Sequence, residues 1–87
     1  MEINNMRIRS PKELALAVIS QRKKLKLSQA AVGKLVGIKQ QTISEFEIKP
    51  EGTKLNTIFH ILSAVDLDIK ISTKDENIRR SKWKEEW

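Results

Sequence analysis

The sequence predicts a mainly α-helical domain of four or five helices, with one short β-strand near its C-terminal end. The chain has 87 residues, which suffice for one small domain. Apolar residues recur at helical spacing over most of the chain, and then alternate with polar residues, as in a strand, from position 67 to 72. We therefore expect one folded domain, residues 1–73, and a flexible C-terminal tail, residues 74–87.

Composition and charge narrow the possible functions. The chain has a net charge of +6, 39% hydrophobic residues and no cysteine. The lack of cysteine excludes disulfides and thiolate metal sites, and we expect no cofactor and no metal. The longest apolar run, Leu14 to Ile19, is too short to span a membrane, and the N-terminus lacks the pattern of a signal peptide. We expect a cytoplasmic location.

The first helix is predicted to begin after Ser10. Ser10 can cap the helix, Pro11 suits its first turn, and Glu13 completes a capping box. We expect this helix to run to about Lys24. Its predicted apolar face comprises Leu14, Ala17 and Val18, with Leu16 and Ile19 beside them.

A basic cluster lies at the end of the first helix and comprises Arg22, Lys23, Lys24 and Lys26. Such a cluster suits contacts with phosphates, which supply most of the sequence-independent affinity for DNA. If the cluster stood alone, the better interpretation would be a lysine-rich helix end exposed to solvent. Beside the motif described next, phosphate binding is favoured.

Residues 28–37 are predicted to form a second, short helix. Ser28 can cap it, and Gly37 can end it in a left-handed conformation. Gly33 takes a position where only a small residue lets another helix approach, and Ile38 closes the turn that follows. The apolar residues at helical spacing are Ala31, Leu35 and Val36, with Val32 beside them.

The third helix follows the turn at once. Ile43 and Phe46 lie three residues apart and can face the core, so that the polar residues point elsewhere. Two short helices joined by such a turn form a helix-turn-helix, whose second helix enters the major groove of DNA. The alternative is an ordinary pair of core helices with a polar outer face. DNA binding is favoured by four features together: the turn glycine Gly37, the apolar Ile38 that closes the turn, the glutamine pair that follows, and the basic composition.

The predicted DNA contacts lie mainly at the start of the third helix. Gln40 and Gln41 are expected to read bases directly, because an amide can both donate to and accept from adenine. Lys39 or Thr42 would add a neighbouring contact, and Gln29 would bind a phosphate and brace Gln40. The full predicted set is Ser28, Gln29, Lys39, Gln40, Gln41, Thr42, Ser44 and Lys49.

This motif resembles that of the Xre/Cro-type repressors. Residues that match the family's pattern are Gln29, Gly37, Ile43, Ser44, Phe46 and Glu47. Gly33 stands where alanine is usual, and we expect the glycine to be tolerated at some cost in helix propensity. Ile48 stands where asparagine commonly begins the next turn.

The remaining scaffold is a turn at 50–52 and a fourth helix. Thr53 is expected to cap this helix. Its apolar residues are Leu55, Ile58, Ile61, Leu62 and Val65.

Leu67, Ile69 and Ile71 form the alternating segment after the fourth helix. A lone strand leaves backbone groups unpaired and therefore needs a partner. The partner is either the segment Met6–Arg9 or the same strand of a second subunit. We favour the second subunit, because a two-fold protein gains affinity and register on a palindromic operator.

Both tryptophans of the chain, Trp83 and Trp87, lie in the predicted tail. Tryptophan is a favoured anchor in partner pockets. The alternative is that Trp83 packs back on the domain and Trp87 has no role.

The chain as a whole resembles the HipB antitoxins. The resemblance rests on the helix start at Ser10, the recognition helix after Ile38, the helix after Leu55 and the terminal pair Glu86-Trp87. It implies a homodimer whose C-terminal strands pair, which binds its own operator and holds a HipA-type serine/threonine kinase toxin. It also implies that the terminal tryptophan enters a pocket of the kinase.

A DNA-binding autorepressor that also serves as an antitoxin is therefore the leading hypothesis. One alternative is a phage-type or metabolic Xre repressor without a toxin partner. Another is a pure protein-binding module whose active part is the tail. An enzyme is the least favoured, because His60 is the sole histidine and no catalytic set, phosphate loop or metal spacing accompanies it.

Overall fold

The computed structural model describes residues 6–74, which form four α-helices and one short 3₁₀ helix. The elements are α1 (Pro11–Lys24), α2 (Gln29–Val36), α3 (Gln40–Ile48), the 3₁₀ helix (Pro50–Gly52) and α4 (Leu55–Ala64). The mainly helical prediction is confirmed. No helix in the described part of the chain is both long and apolar enough to cross a membrane.

The start of α1 is fixed by local hydrogen bonds. The hydroxyl of Ser10 accepts a bond from the backbone N–H of Glu13 at 3.1 Å, as predicted. The carboxylate of Glu13 accepts from the backbone N–H of Arg9 at 2.5 Å, one residue before the usual donor of a capping box. The first bond satisfies a backbone donor that the helix itself leaves unpaired, and the second holds the residue before the N-cap.

The turn between α2 and α3 depends on two glycines. Gly37 ends α2 with φ of 70°, a left-handed conformation that costs glycine little. A Cβ atom on Gly33 would lie 2.2 Å from the carbonyl oxygen of Ile38, closer than real Cβ atoms come to other atoms. The next-nearest neighbours are the carbonyl carbon of Ile38 and, at 3.5 Å, the backbone nitrogen of Gln40, so Gly33 admits both the turn and the start of α3.

The start of α4 differs from the prediction. The N-cap of α4 is Lys54, and no side chain caps the helix. Thr53 instead ends the preceding 3₁₀ helix, and its backbone N–H bonds to the carbonyl of Pro50 at 3.0 Å. The prediction that Thr53 caps α4 was therefore wrong, because the 3₁₀ turn takes up this residue.

The core lies where α1, α2, α3 and α4 meet. Ile43 and Phe46 of α3 are fully buried, as predicted, and Ile38 packs against the core from the turn. Three predicted apolar positions are instead exposed: Leu16, Leu35 and Leu55. The buried cluster comprises Ala15, Val18, Val32, Ile43, Phe46, Ile58, Ile61, Leu62 and Val65.

The segment after α4 carries no regular secondary structure in the single chain. No backbone hydrogen bond joins it to residues 6–9 within the described residues, so that pairing is not formed. Pairing with a second subunit stays a prediction. Trp83, Trp87 and nearly all of the predicted tail lie outside the described residues.

Candidate nucleic-acid interface

The first turn of α3 presents two free glutamine side chains. Gln40 and Gln41 are its first two residues, and both are exposed. Neither side chain has a hydrogen-bond partner among the described residues. Ile43 and Phe46, both 0% exposed, fix the opposite face of this helix in the core. The two amides are therefore held on a rigid support with their donors and acceptors available to base edges.

The other predicted contacts of this region, Lys39, Thr42 and Ser44, lie close to the glutamine pair along the chain. Lys39 is the N-cap of α3 and is exposed, and its side chain makes no capping bond. Thr42 and Ser44 are half-buried. The structure thus places these predicted DNA contacts on one helix, within five residues of Gln40.

Glu47 joins three elements through its carboxylate. Its Oε2 accepts from Nε of Arg22 at 2.7 Å, and its Oε1 accepts from Nη2 of Arg22 at 3.0 Å. The same Oε1 accepts from the amide nitrogen of Gln29 at 2.9 Å. Nη1 of Arg22 also donates to the carbonyl of Leu27 at 3.0 Å. This network ties α1 and the start of α2 to the last turn of α3.

The network corrects two expectations. The side chain of Arg22 is only 12% exposed and is committed to Glu47, so it is not part of the free basic cluster. Gln29 donates to Glu47 and makes no bond with Gln40 within the described residues. A primary amide has two donor hydrogens, however, so one remains for the predicted phosphate contact.

Ser28 and Lys49 complete the predicted set. The hydroxyl of Ser28 accepts from the backbone N–H of Ala31 at 3.0 Å, which leaves its own hydrogen free to donate to a phosphate. Lys49 is the C-cap of α3 and is exposed. Lys23, Lys24 and Lys26 of the basic cluster are also exposed.

A shallow depression of about 660 Å³ adds residues that sequence reasoning missed. It lies between α3 and α4, and its lining includes hydroxyl and ammonium groups as well as the carboxylate of Glu45 and the apolar side chain of Ile48. Such donors suit phosphate oxygens. The donors are Thr42, Lys49, Thr53, Lys54 and Thr57, and the last three carry no sequence signal beyond their position after the motif.

A second surface surrounds the predicted dimerisation residues. Leu67 packs against the core, whereas Ile69 and Ile71 are 46% and 91% exposed. Ile69 and the half-exposed Phe59 line a groove of about 330 Å³. Phe59 was not predicted from the sequence. It lies four residues after Leu55, which is also exposed, so the two side chains form a second apolar stripe on α4.

The described residues offer no group of acidic, histidine or cysteine side chains that could hold a metal ion. His60 is exposed on α4.

Comparisons with known proteins agree with this geometry. Residues 18–69 match the model of a helix-turn-helix family. The HipB antitoxin of Escherichia coli K12 is 40% identical over 65 residues, which cover 75% of this chain and 74% of that protein.

Two solved structures of HipB are also similar to this chain. A complex of a HipB variant with the O2 20mer has a TM-score of 0.79 and 38% sequence identity, and covers 83% of this chain and 100% of that one. A HipA–HipB–O2–O3 complex has a TM-score of 0.78 and 37% identity, and covers 80% and 99% respectively.

Proposed function

Because the chain belongs to the helix-turn-helix family and, within it, to the HipB antitoxins, we propose that it is a transcriptional autorepressor that also acts as an antitoxin. In this proposal it binds operator DNA at its own promoter and neutralises a HipA-type serine/threonine kinase. The observation that carries the proposal is the exposed pair Gln40 and Gln41 on a helix fixed in the core. The similar solved structures hold HipB with operators and with HipA.

DNA binding is divided between base-reading and phosphate-binding residues. Gln40 and Gln41 read base edges in the major groove, and Lys39, Thr42 and Ser44 supply neighbouring contacts. Ser28, Gln29 and Lys49 bind phosphates and so fix the position of α3 on the duplex. Thr53, Lys54 and Thr57 extend the phosphate contacts on the α4 side of the depression, whereas Glu45 lies on its α3 side.

A homodimer is part of the proposal. Ile69 and Ile71 are exposed apolar residues, and residues 68–72 form no backbone hydrogen bond within the described part of the chain. Phe59 extends their surface onto α4. Pairing of this segment between two subunits would satisfy its backbone groups and bury these side chains. It would also place two α3 helices about 34 Å apart, one helical turn of DNA.

The toxin contact is assigned to the tail, with Trp87 as anchor and Trp83 as a second contact. What supports this is composition: every residue of the segment 82–87 other than the two tryptophans is charged, so the segment offers Trp83 and Trp87 no apolar neighbour except each other. A buried tryptophan contributes an area on the order of 150–250 Å² to an interface.

We assign the chain no catalytic role and place it in the cytoplasm, at the nucleoid when operator-bound. Membership of a DNA-binding antitoxin family supports both assignments. A repressor without a toxin partner is the alternative, and the gene beside this one discriminates between the two, because the proposal requires a kinase-like reading frame there.

Two assays test the proposal together. A reporter driven by the protein's own promoter should be repressed by the chain, and cells that express the neighbouring kinase should recover growth when the chain is co-expressed. Deletion of residues 85–87 should weaken capture of the kinase and leave operator affinity unchanged. Repression without rescue of growth would favour the repressor alternative. Rescue of growth without repression would contradict the proposal that the chain represses its own promoter.

A further inference from the structure

Glu45 is an exposed carboxylate on the outward face of the recognition helix α3. Its carboxylate forms no hydrogen bond and no ion pair within the described residues, and its backbone carbonyl accepts from the N–H of Lys49 at 2.8 Å. The other glutamate of this helix, Glu47, is committed to Arg22 and Gln29. Lys49 and Lys54 line the same depression as Glu45, but neither forms an ion pair with it within the described residues.

Helix geometry places Glu45 next to a proposed base-reading residue. Gln41 and Glu45 are four residues apart, so they lie one above the other on the same face of α3. Ile48 continues this stripe and is 81% exposed. Ile43 and Phe46, both fully buried, set the opposite face. Any duplex that Gln41 reads therefore lies within reach of the next turn, at Glu45.

An unpaired carboxylate has few acceptable neighbours on a DNA duplex. Phosphates repel it, and so do the acceptor atoms N7 and O6 of guanine. The adenine edge offers an amino group next to an acceptor. Cytosine offers its N4 amino group with no major-groove acceptor on the same base, and acidic side chains accept hydrogen bonds from it.

We infer that Glu45 is a specificity-determining residue that reads a cytosine in the operator, next to the base read by Gln41. This inference rests on the proposed function, since it requires α3 to enter the major groove. It deepens that function by naming one base of the site. Glu45 also lowers affinity for duplexes that lack this cytosine, because its charge is then left against acceptors or phosphates.

Selection from a random-sequence DNA duplex library tests this inference. The wild-type chain should enrich a palindromic motif with a cytosine at one position in each half-site. Glu45→Ala should lose the preference at that position alone. Glu45→Gln should replace cytosine by adenine there, because an amide pairs with the adenine edge.

Glu51→Gln provides the matched control. Glu51 is an exposed glutamate in the 3₁₀ helix, and its change to glutamine removes the same charge. Both charge-removing variants should bind random duplexes more tightly, but only the Glu45 variants should change the motif. Replacing the cytosine in the selected operator should weaken wild-type binding about tenfold and leave Glu45→Ala nearly unaffected.

The outcomes separate the two claims. A wild-type chain that enriches no motif overturns both the proposed function and the reading by Glu45. A wild-type motif that persists unchanged in Glu45→Ala and Glu45→Gln overturns the reading by Glu45 alone. Since Glu45 is exposed, thermal melting of each variant should match the wild type, and this check excludes misfolding as the cause of a lost preference.

Discussion

At the scale of single residues, Arg22 and Glu47 form a salt bridge between positions 25 residues apart in the chain. Their side chains are only 12% and 6% exposed, so water does little to compensate either charge when the other is removed. Gln29 shares the carboxylate of Glu47. We therefore expect the pair to affect both the stability of the domain and the position of α3.

Arg22→Met should lower the free energy of unfolding by about 3 kcal/mol, because it leaves the carboxylate of Glu47 buried with only an amide partner. Chemical denaturation measures this loss. Lys23→Met removes the same charge from an exposed position and should change stability by less than about 0.5 kcal/mol. Equal losses in both variants would show that net charge, rather than the buried pair, is responsible.

Gly33→Ala tests the contact with the Ile38 carbonyl. The added methyl group would lie 2.2 Å from that oxygen, so the turn must move. We expect a loss of about 1–3 kcal/mol in stability, although alanine is the better helix former by up to about 1 kcal/mol. Operator affinity should also fall, because the displaced turn leads directly into Lys39 and Gln40.

Gly52→Ala is the control for this change. A Cβ atom at Gly52 would meet no atom within 4 Å, so this variant should keep its stability. If Gly33→Ala is as stable as Gly52→Ala, the tight packing of the turn is not required.

At the scale of elements, the helices were predictable because their signals are local. Ser10 and Ser28 cap the helices that the sequence predicts, and Gly37 ends α2 as expected. The start of α4 was not predictable from such signals, because the 3₁₀ helix uses Thr53 and leaves Lys54 as the N-cap. A capping residue identifies a helix start only when no preceding turn takes that residue.

The faces of the short helices were harder to predict than their bounds. In α2, an eight-residue helix, the residue that reaches the core is Val32, while Leu35 is 62% exposed. In so short a helix, periodicity alone does not show which of the apolar residues face the core. The Arg22–Glu47 network was missed for a related reason: it joins residues that only the tertiary fold brings together.

The segment after α4 carries the proposed subunit contact, and Ile69→Lys tests it. A charge at this exposed apolar position should weaken dimerisation. Operator binding should weaken with it, because a monomer has one α3 helix and contacts only one half-site. Sedimentation velocity at micromolar concentration and operator titration measure the two effects. Ser72→Lys adds the same charge at an exposed position that would lie on the other face of the strand, and it should leave the dimer intact.

A wild-type chain that sediments as a monomer and still binds the operator tightly would contradict the dimer. Loss of the dimer in Ser72→Lys to the same extent as in Ile69→Lys would contradict the assignment of the face.

At the scale of the whole molecule, the net charge of +6 is available for binding a polyanion. If a dimer neutralises roughly six to ten phosphates, operator affinity should fall about a thousandfold or more between 50 and 200 mM salt. Fluorescence anisotropy over this range of salt gives the slope directly. A flat response would mean that phosphate contacts contribute little, and that the basic residues beside α2 and α3 serve solubility instead.

The most direct test of sequence-specific DNA binding compares one variant on two duplexes. Gln40→Ala removes an exposed amide and no contact of the fold, so the domain should melt at the wild-type temperature. Its affinity for the operator should fall by about 1–3 kcal/mol, while its affinity for a random duplex of the same length should stay nearly unchanged. An equal loss on both duplexes, or no loss on either, would contradict base reading by α3.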